Sequence, residues 1–120
     1  MRTSDHSLPA DPAEALATLQ KLSENGPVLV FKRSGRCGIS HWAESELEQF
    51  LQSYRGSLPT LVFIDVLGER ALARGLTAEL DITHQSPQAL LFADGELKWV
   101  QSHHGLDSDG FTKALDELAR

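Results

Sequence analysis

Val28-Leu29-Val30-Phe31-Lys32-Arg33-Ser34-Gly35-Arg36-Cys37-Gly38-Ile39-Ser40 is the stretch on which the reading of this chain turns. Val28 to Phe31 is a short continuous apolar run, the pattern of a strand buried on both faces. Arg33 to Arg36 is polar and contains glycine, so it reads as a loop. From Cys37 to about Tyr54 the pattern is helical, with Ala43, Leu47, Phe50, Leu51 and Tyr54 on one face. The cysteine therefore stands where a strand hands over to a helix. The first N–H groups of a helix lack intrahelical partners and carry partial positive charge, which favours thiolate over thiol. Cys37 is also the only cysteine in the chain. No internal disulfide can form, so whatever Cys37 attacks must be released by a thiol from outside.

Outward from this stretch, residues 1–10 read as a flexible tail. Asp11-Pro12-Ala13-Glu14 is a helix start: a capping aspartate, proline at the first helical position, and glutamate three residues after the cap. Ala15, Leu16, Leu19 and Leu22 share a face, and Asn25-Gly26-Pro27 ends the helix. On the other side, Gly56 and Pro59 break the second helix. Leu61 to Ile64 is a second buried strand. Glu69 to Leu80 reads as a helix with Leu72, Leu76 and Leu80 one turn apart; Gly75 weakens it by up to ~1 kcal/mol relative to alanine. Ala89 to Phe92 is a third strand. Asp94-Gly95 suits the positive φ angles of a two-residue hairpin turn, and Glu96 to Gln101 is the fourth strand. Asp107 or Ser108 caps a last helix with Phe111, Leu115 and Leu118 inward. The first two strands are joined by a helix and should be parallel, and the last two form a hairpin. The expectation is an α/β domain over residues 11–120, with a four-stranded mixed sheet flanked by helices.

Composition narrows the function classes. The chain has 120 residues, enough for one domain with a real core. Its 17 acidic and 11 basic residues argue against sequence-independent nucleic-acid binding, which needs a basic surface. A single cysteine is incompatible with a disulfide scaffold and suggests a reducing, cytoplasmic setting. Met1 to Asp11 lacks the apolar segment of a signal peptide, and no apolar run is long enough to span a bilayer.

Element order, a cysteine after the first strand and Ser86-Pro87-Gln88 before the third resemble the thioredoxin fold. Three local motifs are more specific: Arg36-Cys37-Gly38-Ile39-Ser40, His84-Gln85-Ser86-Pro87-Gln88 and Ser102-His103. Together they resemble the monothiol bacilliredoxin family, with its cysteine-proline-isoleucine-serine site, histidine-x-serine-proline-glutamine segment and serine-histidine pair after the last strand. The resemblance covers nearly the whole chain after the first ten residues. Gly38 departs from it, standing where the family usually has proline. Glycine adds an N–H and loosens the loop, which bears on redox tuning and not on the nucleophile.

The resemblance implies reduction of mixed disulfides between proteins and bacillithiol, a low-molecular-weight thiol. Cys37 is then the attacking thiol, and Pro87 matches a cis-proline facing it. Bacillithiol is a co-substrate, with no tightly bound cofactor. The implied partners are bacillithiolated proteins and a low-molecular-weight thiol or partner redoxin that closes the cycle; nucleic acid and membrane are not expected. Arg36, Ser40 and Gly38 are the expected thiolate-supporting residues. Ser86, Pro87, Arg33, His84 and His103 are the expected substrate side.

Simpler roles stand beside these. Ser40 can equally satisfy the helix end, and Arg33 and Arg36 can be solvated charges. Thr83 and Gln88 serve the loop and strand. His41 lies one turn after Cys37 and reads first as a surface residue. Trp42 and Trp99 read as packing residues. His84, His103 and His104 match no standard zinc spacing, so no metal is expected. Two other functions remain open. Cys37-Gly38-Ile39-Ser40 differs by one residue from the cysteine-glycine-phenylalanine-serine site of monothiol glutaredoxins, which bridge a [2Fe–2S] cluster. Lys32 has a possible counterpart there, but their glycine-glycine-aspartate contact is replaced by Ser102-His103-His104-Gly105. The remaining reading is an adaptor of the same fold that performs no turnover.

Overall fold

The computed structural model describes residues 8–119. Most of the expected tail, residues 1–7, lies outside the described residues. Leu8, within that tail, is partly buried against the apolar cluster between the first and third helices. The elements run α1 (Pro12–Leu22), β1 (Val28–Arg33), α2 (Gly38–Ser53), β2 (Thr60–Asp65), α3 (Arg70–Glu79), β3 (Gln88–Ala93), β4 (Glu96–Ser102) and α4 (Ser108–Leu118). Two short 3-10 turns, Ser23–Asn25 and His103–Gly105, extend α1 and follow β4.

The caps follow from the side chains. Asp11 accepts from the Glu14 N–H at 3.0 Å, and Asp107 accepts from the Gly110 N–H at 2.8 Å. Each satisfies a donor that the helix cannot, typically worth ~1 kcal/mol. Asp94 and Gly95 adopt φ of 54° and 78°, so the β3–β4 hairpin closes through two positive-φ residues. Gly75 has a packing reason. A Cβ there would collide with the Pro12 ring, so glycine lets α3 lie close against the start of α1.

The sheet order is β2-β1-β3-β4. β1 pairs with β2 parallel and with β3 antiparallel, and β3 pairs antiparallel with β4. This is the expected four-stranded mixed sheet, with β1 inside. Alternation along β1 divides the core. Val28 and Val30 join Ala15, Leu19, Leu72, Leu76, Leu90 and Phe92 on the α1–α3 face. Leu29 and Phe31 join Ala43, Leu47, Phe50, Leu91, Phe111 and Leu115 on the α2–α4 face. Burying each valine, leucine or phenylalanine among them stabilises by roughly 1.5–3 kcal/mol, so the sheet is held from both sides. Among the described residues, no helix is long and apolar enough to cross a membrane.

Candidate active site

β1 continues past its apolar run. Lys32 and Arg33 stay in the sheet, opposite Ile64 and Asp65 of β2, and the Arg33 carbonyl accepts from the Val66 N–H at 2.9 Å. Arg33 is therefore strand, not loop, because its backbone still has a partner. The turn to α2 is only Ser34, Gly35 and Arg36. Cys37 is the N-cap of α2, with φ −110° and ψ 123°. Its N–H donates to the Ser34 carbonyl at 3.2 Å, and its carbonyl accepts from the His41 N–H at 3.1 Å. Its side chain makes no capping bond and is partly exposed. Helix geometry leaves the Gly38, Ile39 and Ser40 N–H groups without intrahelical acceptors beside it.

Two side chains of α2 reach back to hold this turn. Ser40 is buried, and its Oγ accepts from the Ser34 N–H at 2.9 Å. The oxygen is thus engaged by the loop; any service to sulfur rests on the hydroxyl's own proton. The His41 ring bonds the Gly35 carbonyl through Nε2 at 2.9 Å, which requires the proton on Nε2. Arg36 is exposed in the turn. Arg33 is directed elsewhere. Its Nη1 pairs with Glu44 Oε2 at 2.8 Å, and its guanidinium lies 4.6 Å from the centre of the Phe63 ring.

The segment before β3 comes to the same end of the sheet, since Lys32 of β1 is registered against Gln88 of β3. The Ser86–Pro87 peptide bond is cis. Pro87 is buried, and its carbonyl accepts from the His103 N–H at 3.2 Å. His103 takes φ 55°, an uncommon left-handed conformation for a side chain with a Cβ. His104 then packs its ring 5.7 Å from that of Trp42, which seats the 3-10 turn after β4 beside α2. Ser86 Oγ is buried and makes no hydrogen bond among the described residues. Cys37, Ser86, Pro87 and His103 thus share one end of the sheet, while Arg33 is turned toward Glu44 and Phe63.

Sequence reasoning overlooked what lies behind this edge. Lys32 is fully buried. Its Nζ is 2.7 Å from His84 Nδ1 and donates to Gln88 Oε1 at 2.7 Å. The amide group of Gln88 donates to the Thr83 carbonyl at 3.0 Å and accepts from the Gln85 N–H at 3.4 Å. Burial, then the nearby Arg74 charge, lowers the Lys32 amine to about 8. Burial, then Lys32 and Arg74, also hold the His84 imidazole below its ordinary value, against the pull of a hydrogen bond to the Ala73 backbone. A neutral imidazole accepting at Nδ1 and protonated at Nε2 fits both contacts. His84 thus has an interior partner, and the three histidines do not converge. Among the described residues, no three His, Cys, Asp or Glu side chains are grouped for a metal. The available signal was a lysine directly after an apolar strand run; its partners, 52 and 56 residues away, left none.

A family model described as monothiol bacilliredoxin BrxC matches residues 10–110. The chain belongs to the monothiol bacilliredoxin family. Among solved structures it is similar to a candidate oxidoreductase with a thioredoxin fold, at 26% identity and a TM-score of 0.68, over 82% of this chain and 86% of that one. A Fasciola hepatica thioredoxin shares 14% identity at a TM-score of 0.65, over 98% of both chains. Thioredoxin O2 from Arabidopsis thaliana, in an oxidized state, shares 16% identity at a TM-score of 0.64, over 98% of this chain and 100% of that one. The last two bear on fold alone. The fold is thioredoxin-like, and family and fold together support a thiol redox function.

Proposed function

We propose that this bacilliredoxin-family protein removes bacillithiol from protein mixed disulfides through Cys37. The observation that carries the reading is the placement of one partly exposed thiol at the N-cap of α2. There the first N–H groups of the helix are available to a negatively charged sulfur, and no acidic residue stands in the first turn. The Cys37 thiolate attacks the bacillithiol sulfur. A bond forms between Cys37 Sγ and that sulfur, the old disulfide breaks, and the protein thiolate leaves with the electron pair and takes a proton from water. Cys37 then carries bacillithiol. A second thiolate, from a low-molecular-weight thiol or a partner redoxin, attacks the bacillithiol sulfur and releases Cys37 as thiolate. No net oxidation occurs within the chain, as its single cysteine requires.

The remaining site residues take roles around this step. The Ser86 backbone beside Pro87 suits pairing with an extended substrate segment. Gly38 contributes an N–H, Arg36 an exposed positive charge, and His103 lies beside Pro87. Such chemistry needs a reducing compartment, so the cytoplasm is the proposed location. The test is transfer followed by mass spectrometry. Reduced protein incubated with a bacillithiolated single-cysteine substrate should gain bacillithiol on Cys37 as the substrate loses it, and Cys37→Ser should lower transfer at least ~100-fold. Undiminished transfer by that variant refutes the proposal. A visible absorption band that disappears with Cys37→Ser would favour a cluster carrier instead.

A further inference from the structure

Lys32 presents a problem that the exchange chemistry does not solve. A buried ammonium is costly unless well bonded, and an apolar side chain would fill the same space with less penalty. Its partners point to its use. His84 and Gln88 are the two residues that bracket Gln85-Ser86-Pro87, and Lys32 Nζ contacts both at 2.7 Å. Gln88 in turn grips Thr83 and Gln85 by their backbones. One amine is thus the hub of the bonds that hold this loop from behind. Lys32 also belongs to β1, and the turn to Cys37 begins two residues later.

We propose that Lys32 is a positioning residue: its buried amine ties both ends of the 84–88 loop to β1, and so fixes the substrate-facing edge at Ser86–Pro87 relative to Cys37. The role rests on the exchange function proposed above and deepens it. Lys32 does not touch the reacting sulfur. It sets how well an extended protein substrate is aligned, and it leaves the intrinsic access to the thiol alone. Gln88 transmits the restraint to the backbone, and His84 secures the amine on the opposite side. Pro87 passes it on to the last turn through the bond from the His103 N–H.

The experiment compares a large substrate with a small one. Lys32→Met is assayed for transfer from a bacillithiolated single-cysteine protein and for alkylation of Cys37 by iodoacetamide, which needs no aligned loop. Amide hydrogen exchange at Gln85 and His103 reports the loop directly. We expect kcat/KM for transfer to fall at least tenfold, alkylation to stay within about twofold, and exchange at Gln85 to quicken at least tenfold. His84→Leu should behave like Lys32→Met. His84→Asn, which restores an acceptor near the Nδ1 position, should recover most of the loss; this pair decides the matter if Lys32→Met fails to fold. Unchanged transfer, an equal fall in transfer and alkylation, or unaltered protection of Gln85 overturns the role. If the wild-type protein itself transfers no bacillithiol, the proposed function falls, and Gln85 exchange alone decides whether Lys32 holds the loop.

Discussion

The two loops that make the candidate site are held by different means. The turn before Cys37 is fastened locally. Ser34, Gly35, Ser40 and His41 span only eight residues, and their bonds close within the turn and the first coil of α2. The segment before Pro87 is fastened from a distance, by a lysine on another strand and a network centred on two buried side chains, Lys32 and Gln88. Local bonds between neutral groups are each of modest net worth, because folding exchanges them for bonds to water. The bond between Lys32 and Gln88 is different, since both side chains are buried and losing one leaves the other without water. The nucleophile's loop should therefore tolerate change better than the loop opposite it.

The sharpest way to break that contrast is Gln88→Leu. It deletes the acceptor of Lys32 and the donor to Thr83 together, leaving a buried ammonium with one fewer partner. The expected cost is about 3 kcal/mol in urea unfolding. A loss below about 1 kcal/mol would mean that the network around Lys32 is no stronger than the local bonds of the Cys37 turn.

A pH series examines the same network from its hub. Lys32 holds its proton less tightly in the native state, near 8 against 10.5. Between those values the unfolded chain keeps a proton that the native chain has lost, so stability rises with pH across the window. Tyr54 opposes this above about pH 10, because burial and its bond to Asp116 raise its hydroxyl. From pH 8 to 9.5 the wild type should gain of the order of 1–2 kcal/mol. Lys32→Met should flatten that rise, and an unchanged slope would show that another group is responsible.

Ser40→Ala tests the local side. It removes the acceptor of the Ser34 N–H, and water can take its place as the turn relaxes. The expected loss is about 1 kcal/mol, with transfer falling only a few-fold. A loss equal to that of Gln88→Leu would erase the distinction between the loops. The smallest effect is expected from Gly38→Pro. Position 38 is the first of α2, and nothing lies within 4 Å of a Cβ built there. Cys37 is already extended at φ −110° and ψ 123°, which a following proline prefers. Thermal unfolding should show stability unchanged or raised by up to about 1 kcal/mol; a clear loss would mean that the Gly38 N–H is needed in the resting turn.

Much of this architecture was legible beforehand. Strand cores at 28–31, 61–64 and 89–92, the caps at Asp11 and Asp107 and the Asp94-Gly95 turn all lie where the residues indicated. Each of these strands proved two residues longer, through Lys32 and Arg33, Thr60 and Asp65, and Gln88 and Ala93. Hydrophobicity ends with the last apolar side chain, whereas a sheet continues as long as backbone groups find partners. Ser40 shows the same limit at the site. Its spacing from Cys37 allowed service to the sulfur or to the helix end, and the structure spends its oxygen on the Ser34 N–H.

Local chemistry alone determined that a single thiol begins a helix after a buried strand, because periodicity, caps and turns act between neighbours in the chain. Only the tertiary structure decided that Lys32 turns inward to hold the loop opposite that thiol. A charge can be buried only where distant groups converge to bond it, and that convergence comes with the packing of the sheet.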